Sequence, residues 1–116
     1  MRHLELFAGI GGFRRAMDLL TQDHIMDFHC IGYSEIDAKA VKTYCANYHP
    51  EANKELAMGD IVEFTSNKEN IENLPQFDLV TGGFPCQTFS MMGKQAGFNE
   101  DRGQMFFHII VLILRF

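Results

Sequence analysis

The residues best suited to covalent chemistry lie in one loop, Gly82-Gly83-Phe84-Pro85-Cys86-Gln87-Thr88-Phe89-Ser90. Proline and paired glycines stop any regular element there. A lone cysteine usually behaves as a small buried hydrophobe. Cys86 is different: it follows an expected strand, in an irregular segment. Pro85 restricts φ and helps aim the thiol. The thiolate is the nucleophilic form, and its surroundings set how much of it is present. Cys30 and Cys45 fall inside an expected strand and an expected helix, which assigns them to packing.

Two carboxylates stand at corresponding ends of other strands. Glu35 ends the second strand, where an acid can accept hydrogen bonds from two ribose hydroxyls. Its plainer role is an acid near the positive end of the next helix. Asp60 follows the third strand. It can accept a bond from an adenine amino group, with Ile61 against the ring, or simply cap a helix or turn. Phe7 and Ile36 are spaced to sandwich an adenine, although apolar residues beside strands are commonly core. Phe7-Ala8-Gly9-Ile10-Gly11-Gly12 joins a strand to a helix. Its missing Cβ atoms allow a tight turn and close approach of a ligand to the backbone. Arg14 stands where G-x-G-x-x-G requires its third glycine, which argues against a pyrophosphate site. Together these residues describe a nucleoside cofactor site with no obvious phosphate clamp.

The elements that must position these groups alternate short apolar runs with amphipathic ones, as in an α/β fold. Strands are expected at Leu4–Phe7, Phe28–Ser34, Leu56–Met58 and Phe77–Thr81. Helices are expected at Phe13–Leu20, with Phe13, Ala16, Met17 and Leu20 as its apolar face, and at Asp37–Tyr48. Asp37 is the expected N-cap of the second helix, and Ala40, Val41, Tyr44, Cys45 and Tyr48 form its stripe. Residues 65–76 are polar, with a short helix near Asn67–Asn73. Ser90–Gly103 reads as a loop and Gln104 onward as a helix. This order gives a parallel sheet covered on both faces. Ligands in such sheets bind at the carboxyl ends of the strands, where each motif sits.

The chain has 116 residues, enough for one small domain. Three cysteines argue against a disulfide framework and fit a reducing compartment. No C-x-x-C or H-x-x-x-H spacing occurs, so no metal site is expected. A net charge of −5 is unlike the basic surface of a nucleic-acid-binding domain. Any action on DNA therefore places the phosphate-neutralising charge in another segment or chain. The N-terminus has no apolar signal segment. Residues 105–116 are very apolar but roughly half the length that spans a bilayer. They read as a buried element, with no membrane role and a cytoplasmic location.

Four ordered stretches resemble the first motifs of the cytosine-C5 methyltransferases. They are Phe7-Ala8-Gly9-Ile10-Gly11-Gly12, Ser34-Glu35-Ile36-Asp37, Gly59-Asp60-Ile61 and Gly83-Phe84-Pro85-Cys86-Gln87-Thr88-Phe89-Ser90. Gly93-Lys94-Gln95-Ala96-Gly97-Phe98 and Asp101-Arg102-Gly103 resemble the loop that closes on DNA in bacterial members. The resemblance implies a Rossmann-like S-adenosylmethionine-dependent methyltransferase fold, here the N-terminal part of the parallel sheet. It implies S-adenosylmethionine held by Phe7, Gly9, Ile10, Gly11, Glu35, Ile36, Asp60, Ile61, Pro85 and Met105. It makes Cys86 the nucleophile, and Gln87, Ser90, Lys94, Gln95 and Arg102 contacts to double-stranded DNA.

The chemistry supplies a reason for each part. C5 of cytosine is a poor nucleophile; addition of a thiolate at C6 makes it enamine-like and able to attack a sulfonium methyl group. A target base within a duplex must first be flipped out.

Full-length members of the family carry more. They have a Glu-Asn-Val glutamate for the flipped base, an arginine motif, a variable DNA-reading domain and a returning C-terminal helix. Glu69-Asn70-Ile71 lies before Cys86, in the wrong order for the first of these. Residues 1–116 thus read as a partial catalytic domain without a target-recognition domain, needing a complementary chain or C-terminal half. The apolar run Ile109–Leu114 is expected to leave an exposed patch when alone. Two alternatives stay open: a non-catalytic relic that binds cofactor or a partner, and a family member acting on transfer RNA.

Overall fold

The computed structural model describes residues 1–83, 109 and 111–113. Its elements are β1 (Arg2–Leu6), α1 (Gly12–Gln22), β2 (His29–Ser34), α2 (Ala38–Tyr48), β3 (Leu56–Gly59), α3 (Ile61–Ser66), α4 (Lys68–Asn73) and β4 (Leu79–Gly82). Ile109 and Val111–Ile113 are helical.

The four strands form one sheet in the order β3-β2-β1-β4, and every pairing is parallel. The chain moves outward from β1 to β3, then returns to place β4 on the other side of β1. Order therefore reverses between β1 and β4, the place where open α/β sheets form a ligand crevice. Leu6 pairs with Gly82 at this point. The glycine turn after β1 and the loop after β4 thus leave the same edge of the sheet side by side.

β1 is buried on both faces, as expected of a central parallel strand. Its alternation sorts two environments. Leu4 and Leu6, both fully buried, join Met58, Ile61, Phe64, Leu74 and Leu112 in the apolar core. His3 and Glu5, also fully buried, belong to the opposite face. There, Ala8, Tyr33 and Tyr44 form a second, smaller cluster. Helices therefore cover both faces.

α1 departs from its expected pattern. Phe13 and Ala16 are exposed, Met17 and Leu20 are half-buried, and Arg14 is the buried residue of the helix. The reason is the surface beneath it. α1 faces the Glu5 side of the sheet, where a buried carboxylate needs a donor more than a methyl group.

α2 keeps its expected stripe, with Tyr44 fully buried and Asp37 capping through a bond from the Lys39 amide at 3.0 Å. α3 was not anticipated from the sequence. It is six residues long, and Asp60 caps it by accepting from the Val62 amide at 2.8 Å. The apolar run near the C-terminus is partly accommodated: Leu112 is buried in the core, while Val111 and Ile113 stay exposed. Among the described residues no helix is long and apolar enough to cross a membrane.

Candidate functional site

A cleft enclosing about 520 Å³, its open mouth included, lies at the carboxyl edge of the sheet. Phe7, Ser34, Glu35, Ile36, Gly59, Asp60, Ile61 and Gly83 line it. Five of these were expected from sequence: Phe7, Glu35, Ile36, Asp60 and Ile61. They come from the ends of β1, β2 and β3, and Gly83 brings in the end of β4.

Each wall has a local cause. Phe7 leaves β1 with φ 52°, a left-handed conformation costly for a bulky residue, and such outliers concentrate at ligand sites. The bend is secured from β2: the Phe7 amide donates to Ser34 Oγ at 3.2 Å and the Ala8 amide to the Ser34 carbonyl at 2.8 Å. Ile61 is 2% exposed and forms the packed floor, whereas Ile36 is 66% exposed and stands at the rim. Gly59, with φ 64°, lets the chain reverse from β3 into Asp60.

The Glu35 carboxylate is already engaged. Its Oε1 accepts from the Gly9 amide at 2.7 Å; Oε2 accepts from the Ile36 amide at 3.0 Å and the Asp37 amide at 2.9 Å. Of about four lone-pair positions, one on Oε1 is left for a ligand. Asp60 uses Oδ1 for its cap and retains Oδ2. No lysine or arginine lines the cleft among the described residues.

The remaining expected residues divide into two groups. Gly9, Ile10 and Gly11 form the adjoining turn but are not part of the cleft wall. Gly9 is tied to the cleft through Glu35, Ile10 is 64% exposed, and Gly11 is buried against Tyr48. Pro85, Cys86, Gln87, Ser90, Lys94, Gln95, Arg102 and Met105 lie outside the described residues. Cys30 and Cys45 are free thiols. Burial pushes the Cys30 thiol up to about 12, aided by the nearby Glu55 carboxylate, which leaves it protonated and unreactive.

Behind the turn lies a buried polar network that the sequence did not reveal. The Arg14 guanidinium grips Glu55 with two bonds, at 2.7 and 3.0 Å. It also donates to the Tyr44 hydroxyl at 3.2 Å, which in turn donates to Glu5 Oε2 at 2.9 Å. Glu5 Oε1 accepts from the Arg14 amide at 3.2 Å. Burial raises the Glu5 pKa, with the Tyr44 and Arg14 hydrogen bonds opposing it. Burial works against the Arg14 charge, but the Glu55 pairing outweighs it and holds the pKa above the ordinary arginine value. A charge within an apolar strand, Leu4-Glu5-Leu6, was the one signal available.

A four-stranded parallel sheet with helices on both faces and a cleft at the reversal of strand order defines a Rossmann-like α/β domain. The family model for C-5 cytosine-specific DNA methylases matches residues 1–116, and the chain belongs to that family. It is 41% identical over 109 residues to the Type II methyltransferase M.BanI of Aneurinibacillus aneurinilyticus, an overlap of 94% of this chain and 23% of that protein. The Type II methyltransferase M.HpaII of Haemophilus parainfluenzae is 42% identical over 113 residues, covering 97% of this chain and 27% of its own length. For the orphan methyltransferase M.Rho11sI of Bacillus phage rho11s the identity is 39% over 110 residues, 95% of this chain and 20% of that protein. The chain thus spans about a fifth to a quarter of the length of these curated relatives.

Proposed function

We propose that this chain is the cofactor- and nucleophile-bearing part of a DNA (cytosine-5-)-methyltransferase that uses S-adenosylmethionine. The observation that carries the reading is the cleft itself. Phe7, Ile36 and Ile61 suit the faces of an adenine. Asp60 Oδ2 suits its amino group, and the free position on Glu35 Oε1 suits one ribose hydroxyl. Gripping a second hydroxyl requires Glu35 to release an amide. Two carboxylates with no basic residue among the described lining disfavour a pyrophosphate and favour a cationic sulfonium.

S-adenosylmethionine, when bound, supplies an electrophilic methyl group. The chain's own part is to orient it and to provide the attacking thiolate of Cys86. That thiolate would add to C6 of a flipped cytosine, and the electron pair would reach C5, which would form a bond to the methyl carbon as the S–CH3 bond breaks and the sulfonium leaves as a neutral thioether. Loss of the C5 proton and expulsion of the thiolate then restore the ring. Pairing of Leu6 with Gly82 starts the cysteine loop next to the glycine turn, as this chemistry requires. Engagement of the base and reading of DNA sequence belong to segments further along a relative's length, in this chain or a partner.

The test is calorimetric titration of the chain with S-adenosylmethionine, then methyl transfer to duplex DNA after mixing with a complementary methyltransferase chain. Binding, with transfer abolished by Cys86→Ala, is the expected result. Absence of binding, or transfer that survives Cys86→Ala, refutes the reading.

A further inference from the structure

We propose that Tyr48 is a positioning residue for the cofactor, acting from behind the glycine turn; the proposal rests on the cofactor reading above. Tyr48 is the last residue of α2 and does not line the cleft. Its hydroxyl donates to the Gly11 carbonyl at 2.9 Å. Its ring occupies the space a Gly11 Cβ would fill, so residue 11 must be glycine on contact grounds as well as for its φ of 97°. Gly11 is also the N-cap of α1 and has no side chain to cap it; its carbonyl accepts from the Arg15 amide at 2.8 Å, and the Glu5 carboxylate takes the Arg14 amide. The direction of the first α1 amides therefore depends on where Gly11 is held as well as on Glu5.

Tyr48 can hold it because the tyrosine is itself held. Its ring lies 5.0 Å from the Tyr44 ring, which stacks on Tyr33 at 4.5 Å. The Arg14 guanidinium sits 5.0 Å over the Tyr48 ring, and Arg14 is anchored in turn by its fork to Glu55. The other end of the turn is tied at the cleft, through the Gly9 amide on Glu35. A glycine-rich segment is thus pinned from both sides. Pinning removes conformational freedom that a ligand would otherwise have to remove on binding.

Tyr48→Phe separates this role from packing, because it keeps the ring and deletes the single bond to Gly11. At a temperature where both proteins are folded by circular dichroism, the variant is expected to bind S-adenosylmethionine about fivefold more weakly, the worth of one hydrogen bond. Hydrogen exchange in the peptide spanning residues 8–12 is expected to quicken, with exchange in β1 and β2 unchanged. Unchanged affinity in the variant, even with a lower Tm, assigns Tyr48 to packing alone and overturns the proposal. A wild-type chain that binds no S-adenosylmethionine instead overturns the underlying cofactor reading, and this inference with it.

Discussion

Removing the Arg14 guanidinium leaves Glu5 and Glu55 buried without a counter-charge. Breaking one side of a buried pair costs about 3–5 kcal/mol. The whole stability of a chain this size is on the order of 5–15 kcal/mol. Arg14→Met is therefore expected to lower the urea midpoint sharply, and adding Glu55→Gln to recover part of the loss. Equal midpoints for Arg14→Met and wild type contradict the network. This network also marks the limit of sequence reading at the residue scale. Glu35, Ile36, Asp60 and Ile61 were legible because each sits next to its own strand end. Arg14 was not, because its partner Glu55 is 41 positions away, and a buried charge is intelligible only with its partner. Ser34 escaped for the same reason: its bond is to Phe7, 27 residues earlier.

Among the elements, α2 was readable from its stripe and its cap, and α3 was not. Six residues are too few to show a helical period, and Ile61-Val62 by itself favours a strand. What starts α3 is the cap, so Asp60 carries two roles that substitution can separate. Asp60→Ala loses the cap, about 1 kcal/mol, and also the acceptor for a ligand amino group. Asp60→Asn keeps a cap oxygen but presents an amide donor to the ligand. Thermal unfolding is expected to show a loss for the alanine variant only, and calorimetry weaker cofactor binding for both. Asp37→Ala, at the head of α2, is expected to cost about 1 kcal/mol of stability; an unchanged Tm means the Lys39 bond contributes nothing. The apolar face foreseen for α1 failed because periodicity reports which face is apolar, not whether the opposing sheet is.

For the whole molecule, two of the groups through which stability depends on pH act in separate windows. Burial lowers the His3 pKa from 6.5, reinforced by the Arg14 charge. The unfolded chain therefore takes up this proton more readily than the folded one. Stability from His3 is complete above about 6.5 and declines as pH falls below it. Urea midpoints compared at pH 7.5 and 5.5 check this, and His3→Asn is expected to flatten the difference. Asp78 is held at about 2 instead of 3.8 by its hydrogen bonds with Arg2. Its contribution is present above about 3.8 and is lost as pH falls towards 2. Because the pair is exposed, the effect is small and screened by salt. Asp78→Asn is expected to remove it; an identical acid transition in the variant argues against the pair.

The central strand has a consequence for synthesis. β1 is made first, yet its neighbour on one side, β4, begins only at Leu79. With translation at about 5–20 residues per second, the seventy-odd residues between them take roughly 4–15 s to emerge. Throughout that interval Arg2–Leu6 has one ladder of amides and carbonyls without its native partner. A nascent chain stalled before residue 79 is then the species most prone to pair with another copy of itself, and the one a ribosome-associated chaperone has most reason to shield.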